Sequence, residues 1–300
     1  MKVFHSIEEY RQSNYCTDLF RSAVTLGKFD GIHIGHTKLI RDITRYARSR
    51  GLISIVFAIE TTDGFILSHE ERAMYLESLD VDILIECPFT RDFMSMLPGE
   101  FARKVLAQTL RAVYVCVGPD FFFGRDRAGS AAMLLELGAV YGFHTVIMEK
   151  ERVRGVDVSS TRVREAVRAG NMKLVEELLD RPYPILGTVR HGRHLGTGIG
   201  YPTVNILPEE GKILPPDGVY ASVTTLPDHT LKKSVTNIGI RPTVGGKERR
   251  AETTLIHFHK DLYDKQIMHE LLRFIRPERK FDSLEALGEQ IAIDRKRAWG

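Results

Sequence analysis

Gly27-Lys-Phe-Asp-Gly-Ile-His-Ile-Gly-His36 follows directly on the apolar run Ala23-Val-Thr-Leu26. From Gly35 to Arg50, the residues Leu39, Ile40, Ile43, Tyr46 and Ala47 fall on one helical face, and Gly51 is placed to end the helix. Strand, glycine turn and helix N-terminus in that order make an anion site, because backbone N–H groups face the ligand and the helix dipole favours negative charge. Gly27, Gly31 and Gly35 would let the backbone approach a ligand closely. Phe29 and Asp30 stand within the turn. The ring N–H groups of His33 and His36 can donate to phosphate oxygens as charge builds on them. The spacing is neither GxGxxG nor GxxxxGK[ST]. Two other readings fit the turn taken alone. In one, the histidines hold a metal, but no nearby Cys or further His completes a recognisable set. In the other, they merely cap the helix.

Outward from the turn, strand and helix patterns alternate. Ile53–Ile59, Asp82–Glu86, Ala112–Gly118 and His144–Glu149 read as strands; 69–79, 98–110 and 130–142 read as helices. Continuous apolar strands separated by helices predict a parallel sheet covered on both faces. Its ligands would sit at the carboxyl ends of strands, where the histidine turn and the segment GPDFFFGRDRAG (118–129) both fall. Two short helical patterns, 160–170 and 172–180, run into Arg181-Pro-Tyr-Pro184, and proline cannot continue a helix. Beyond that point short β-like runs such as GVYASVTTL and ETTLIHFH alternate with Gly and Pro turns, which predicts a compact β-barrel; 283–299 reads as an amphipathic helix packed on or beside it. The expected division is therefore 1–181 and 182–300, and 300 residues suit two domains at roughly 150 each.

Composition excludes several classes. Residues 1–181 hold 24 Lys+Arg against 25 Asp+Glu, and 182–300 hold 18 against 14, so neither half has the basic excess of a non-specific nucleic-acid binder. Three scattered cysteines suit neither a disulfide framework nor a zinc spacing. The N-terminus has no apolar signal core, and Leu52–Ile59 is too short to span a bilayer. A cytoplasmic protein without nucleic-acid or membrane partners, monomeric or weakly self-associating, is expected.

Two further stretches carry chemistry. Val158-Ser-Ser-Thr-Arg-Val-Arg164 opens a helix with arginines in its first turn, which is unfavourable unless an anion compensates them. Ser159, Ser160, Thr161 and Arg164 thus read as a polyphosphate site. Between Gly187 and Gly200 there are five glycines in fourteen residues, followed by Tyr201-Pro-Thr-Val-Asn205. Thr203 and Asn205 project from one face of an extended strand and offer two hard oxygens suited to Mg²⁺ shared with substrate phosphates. Gly192, Gly196 and Gly200 would cover those phosphates through backbone N–H groups, with Pro202 closing the loop.

GKFDGIHIGH, VGPDFFFGRDRAG and VSSTRVR, in that order, resemble the HxGH nucleotidyltransferase superfamily, and more closely the first module of prokaryotic bifunctional riboflavin kinase/FAD synthetases. The second half resembles the kinase module of the same family through Pro202-Thr-Val-Asn205, SVTNIGIRPTV (234–244), AETTLIHF (251–258) and FIRPERKFDSLEAL. The resemblance implies a Rossmann-like α/β domain followed by a riboflavin-kinase-type barrel with a terminal helix. It implies ATP as co-substrate, Mg²⁺, and FMN and FAD as products. It further implies Glu252 as catalytic base, His33 and His36 on the ATP phosphates, and Asp120 and Phe123 shaping the nucleotide and flavin site. Two departures stand out: His257, where the family often has Asp or Asn, and Phe57-Ala-Ile-Glu-Thr-Thr-Asp-Gly64, where a Phe-x-Pro-His-Pro type segment belongs to the adenylylation site. The second leaves open a kinase whose FAD synthetase domain is slow or inactive. His33-Ile-Gly-His36 also spells the class I aminoacyl-tRNA synthetase signature, but the closing segment is not a lysine-rich KMSKS loop. A flavin carrier on the same fold is the non-enzyme alternative.

Overall fold

The computed structural model describes residues 1–300 except 18, 61–63, 89, 191–202, 244, 245 and 259. The first half runs β1 (Lys2–Phe4), α1 (Ile7–Arg11), β2 (Ser22–Gly27), α2 (Ile34–Arg50), β3 (Ile53–Ile59), α3 (His69–Ser78), β4 (Ile83–Cys87), α4 (Arg91–Ser95) and α5 (Pro98–Glu100). After α5 come a π-helix (Phe101–Thr109), β5 (Ala112–Val117), the hairpin β6 (Phe122–Phe123) and β7 (Gly129–Ser130), α6 (Ala131–Tyr141) and β8 (His144–Ile147). The hairpin β9 (Arg152–Val153) and β10 (Val156–Asp157), α7 (Ser160–Arg168) and α8 (Met172–Leu179) precede the second half. That half holds β11 (Tyr183–Arg190), β12 (Thr203–Ile206), β13 (Gly218–Thr225), β14 (Leu231–Thr243), β15 (Gly246–Leu255), β16 (Gln266–Pro277) and a terminal helix, α9 (Leu284–Trp299). Two compact units form: Met1–Asp63 with Arg72–Ser159, and Gly64–Glu71 with Ser160–Gly300.

In the first unit six strands form an all-parallel sheet ordered β1-β4-β3-β2-β5-β8. Its four inner strands, β2 to β5, are buried almost throughout, as their apolar runs require, while the edge strands β1 and β8 are partly exposed. Strand order reverses between β2 and β5, and ligands of such sheets occupy the crevice beyond the carboxyl ends at that switch point. Helix α2 buries Thr37, Leu39, Ile40, Ile43 and Ala47 and ends at Gly51 in the left-handed region (φ 64°). Tyr46, expected on this face, stacks on Tyr114 of β5 with ring centroids 3.8 Å apart. The helix expected at 98–110 is largely π-helical: Leu110 donates to the Val105 carbonyl five residues back (2.8 Å). The wider turn brings Phe101, Ala102, Val105, Leu106 and Thr109 onto one buried face.

In the second unit the barrel closes in the order β11-β12-β15-β14-β13-β16. Helix α9 lies on it through Ala298 and Trp299, which pack with Val219, Ala221 and Val235. Asp294 holds Arg276 of β16 with contacts of 2.7–3.0 Å. The barrel interior is polar at one level. Thr224, Ser234, Ser222, Thr236, Thr253 and His269, all fully buried, form a closed hydrogen-bonded ring. Successive contacts around it are 2.9, 2.8, 2.8, 2.8, 3.0 and 2.8 Å, the last two being to His269 Nε2 and Nδ1. A neutral imidazole fits, one nitrogen donating and the other accepting. Burial pushes His269 from 6.5 down to about 3. The unfolded chain therefore takes up a proton, below its own pKa, that the folded barrel refuses. This contribution to stability is complete above about pH 6.5 and is lost progressively as pH falls toward 3. A His269→Gln variant should show a flatter decline in stability between pH 6.5 and 4, read from urea midpoints; an unchanged slope would contradict this account.

The same unit contains a strap from far upstream. Phe65 pairs with Lys212 as an isolated parallel bridge, with Phe65 N donating to Gly211 O (3.0 Å) and Ile213 N to Phe65 O (2.9 Å). Tyr183 Oη and Lys212 Nζ both donate to Ile66 O, at 2.9 and 2.8 Å. Lys212 and Glu71 form an ion pair with both side chains 1% exposed. Glu71 also accepts from the backbone N–H groups of Ser68 (2.9 Å) and Leu186 (2.8 Å).

Candidate functional site

At the carboxyl end of β2 the histidine turn closes on itself. His33 is the N-cap of α2; its Nδ1 accepts from the backbone N–H of His36 (3.3 Å), which in the neutral ring leaves the proton on Nε2. The two imidazoles stack at 3.8 Å and 15°, and Phe29 leans on His36 at 4.9 Å. Burial, and then the neighbouring His33, hold His36 well below the ordinary histidine range, so it is neutral. Its Nδ1 is buried with no hydrogen-bond partner among the described residues. The first turn of α2 carries no acidic side chain, which leaves the helix's positive end unopposed. The left-handed positions are Phe29 (φ 44°) and Ile32 (φ 41°), both fully buried, whereas Gly27 and Gly35 make room for side chains. A Cβ on Gly27 would come 3.3 Å from the Phe29 ring, and one on Gly35 would come 3.3 Å from the His33 ring. Gly31 and Asp30 are buried within the turn.

Across the switch point, β5 leads into Gly118–Ser130. Asp120 is ion-paired with Lys150 (3.0 Å). The Phe123 ring is buried against Phe101 (5.4 Å) and Phe121 (5.7 Å) and lies flat on Gly129, where a Cβ would overlap it at 2.8 Å. Phe101 continues the aromatic row through Phe93 to Phe57. In the departing segment after β3, Glu60 bonds Arg72 (3.0 Å), a buried guanidinium that also bonds Glu86. Residues 61–63 lie outside the described residues. Sequence reasoning missed this network: Arg72 stands 12 residues from Glu60 and 14 from Glu86, each outside its own helix, so no local spacing relates them.

Ser159 closes the first unit, while Ser160, Thr161 and Arg164 open α7 in the second. Arg164 Nη2 bonds the Gly64 carbonyl (3.3 Å).

The barrel carries the second constellation. In the register of β12 and β15, Thr203 faces Thr254 and Asn205 faces Glu252. Thr203 Oγ1 donates to Glu252 Oε1 (3.0 Å). Thr203, Asn205 and Glu252 are thereby gathered on one face, all half-buried. A threonine hydroxyl donating its hydrogen still has lone pairs to offer a cation, so this oxygen set fits Mg²⁺. Gly192, Gly196, Gly200 and Pro202 lie outside the described residues. His257 sits in the left-handed region (φ 53°) just past β15.

Comparison with known proteins follows the same division. The FAD synthetase family model matches residues 17–162, and the riboflavin kinase family model matches residues 179–299. A bifunctional riboflavin kinase/FMN adenylyltransferase of Escherichia coli (strain K12) is 36% identical over 282 residues, covering 90% of each chain. The protein of that description from Haemophilus influenzae is 34% identical over 285 residues, covering 91% of each. A crystal structure described as a macrolide-efflux protein from Streptococcus pneumoniae aligns with 100% of this chain and 99% of its own, with TM-score 0.84 and 29% identity. Among the described residues here, no helix is long and apolar enough to cross a membrane. Both halves match in the expected order, and the identity runs through nearly the full length of each relative; the chain belongs to the bifunctional riboflavin kinase/FMN adenylyltransferase family.

Proposed function

We propose that this chain phosphorylates riboflavin with ATP to FMN through residues 182–300, and adenylylates FMN with a second ATP to FAD and pyrophosphate through residues 1–181. The observation that carries the kinase half is the Thr203–Glu252 hydrogen bond beside Asn205. Glu252 accepts the proton of the ribityl 5′-hydroxyl as that oxygen attacks the terminal phosphorus of ATP and the P–O bond to ADP breaks, giving FMN and ADP. Thr203 and Asn205 would hold Mg²⁺, which when bound offsets charge on the phosphates. Gly192, Gly196, Gly200 and Pro202 are assigned to the loop covering them.

In the adenylylation half, an FMN phosphate oxygen attacks the α-phosphorus of ATP and the P–O bond to pyrophosphate breaks, with no covalent enzyme intermediate. What supports this is the buried Nδ1 of His36, without a partner among the described residues, at the sheet's switch point. His33, His36 and the N–H groups of the Gly27–Gly35 turn stabilise the charge that builds on the α-phosphate. Ser159, Ser160, Thr161 and Arg164 take the departing pyrophosphate. Asp120 and Phe123 border the nucleotide and flavin. The three free cysteines, two of them buried, suit a cytoplasmic location.

Incubation with riboflavin, excess ATP and Mg²⁺, resolved by chromatography over time, should give FMN and then FAD. FMN accumulating without FAD would remove the adenylylation half and point to the 57–64 segment. Unchanged riboflavin would remove the kinase half. A His36→Ala variant should lose about 10²–10³-fold in FAD formation from supplied FMN while still phosphorylating riboflavin.

A further inference from the structure

Glu252 has a neighbour on each side. In the β14–β15 register Asn237 is directly opposite Glu252, as Asn205 is from β12. Directly opposed residues project from the same face of a sheet with their Cβ atoms about 5 Å apart. Thr236 and Thr253, next in sequence to Asn237 and Glu252, bond each other inside the barrel, which puts Asn237 and Glu252 together on the outer face.

Asn237 is held from behind. Its Nδ2 donates to Glu278 Oε1 (3.1 Å), from the segment that follows β16. Because a carboxylate can only accept, this fixes which end of the carboxamide faces Glu278. Glu278 reaches that position by lying over Gly239, where any Cβ would come 2.5 Å from its Oε1. Asn237, Gly239 and Glu278 therefore form one construction whose product is a carboxamide of fixed orientation beside the kinase base. The other charged groups on this face of β15, among the described residues, are Glu248 and Arg250, bonded to each other (2.7 Å).

We propose that Asn237 is a positioning residue of the riboflavin kinase reaction: held by Glu278 over Gly239, its neutral carboxamide orients Glu252 and separates the two carboxylates. This rests on the reading of Glu252 as the base. A carboxamide NH₂ has two hydrogens, so it can serve both carboxylates without adding charge. A carboxylate in its place would have no hydrogen to donate to either neighbour.

The test compares Asn237→Leu, Asn237→Gln and Glu252→Gln in riboflavin phosphorylation at one pH, with adenylylation of supplied FMN as a control in the same preparations. Asn237→Leu should lower kinase kcat and kcat/KM together about 10-fold, with KM for riboflavin and ATP unchanged, because a positioning residue acts on the chemical step. Asn237→Gln, which keeps the carboxamide, should recover part of the loss. An unchanged kcat in Asn237→Leu, or a loss shared by adenylylation that tracks a lowered unfolding temperature, would overturn the proposal. If Glu252→Gln remained fully active, the base reading itself would fail and take this inference with it. If Glu252→Gln were inactive and Asn237→Leu unchanged, only the inference would fail.

Discussion

Replacing Lys212 by Met should destabilise the barrel unit by about 3–5 kcal/mol, the effect of leaving a buried partner charge uncompensated. Lys212 and Glu71 each have 1% exposed side chains. Among the described residues, removing the ammonium leaves Glu71 the backbone donors of Ser68 and Leu186 alone. It also removes one of two donors to Ile66 O and the cation 4.6 Å above the Tyr183 ring. The measurement can be confined to the affected unit, because the chain has a single tryptophan. Trp299 is packed on the barrel with its indole N–H on the Ser234 carbonyl (3.0 Å). Denaturant unfolding followed by tryptophan fluorescence should show a lowered midpoint. Adding Glu71→Leu to Lys212→Met should restore much of it, since a buried pair replaced as a pair often costs little. A wild-type midpoint in the single variant would show that Glu71 finds another partner or water.

The second large effect concerns the kinase base. Glu252→Gln keeps the size and the hydrogen bond from Thr203 but cannot take a proton. Riboflavin phosphorylation should fall about 10²–10⁴-fold, the usual contribution of general-base catalysis. FAD formation from supplied FMN should be unchanged. Separation of the two activities by one atom type is the informative result; a parallel loss of both would indicate a folding defect rather than a missing base.

These residues differ in how far sequence exposes them. The α/β order from Ser22 to Ile147 is legible because strands buried on both faces must be apolar throughout, and Ile53–Ile59 begins and ends where its apolar run does. The kinase constellation is legible because alternation on a strand places Thr203 and Asn205 on one side. The positive φ angles of Phe29 and Ile32 are not legible. Tertiary burial holds them there, while nearby glycines advertise the freedom and use it for close packing instead. Nor is the hydroxyl ring: in GVYASVTTL the alternation suggests Ser222 and Thr224 in water, yet Val219 and Ala221 face α9 and the hydroxyls face the barrel interior. Asn237 looks like one amide among many until the register sets it opposite Glu252. Likewise no local pattern relates Glu71 to Lys212, since their pairing is decided by the closed fold and not by spacing.

That last pairing has a consequence for how the chain is made. Glu71 and Lys212 are 141 residues apart. At ribosomal rates of about 5–20 residues per second, the carboxylate is synthesised about 7–30 s before its cation. Throughout that interval the strap has been translated but the barrel it completes does not yet exist. A nascent chain halted between the two positions would carry residues 64–71 with nothing to hold them. A gene fragment beginning at residue 182 would produce the reverse: a barrel with Lys212 present and its counter-charge never encoded.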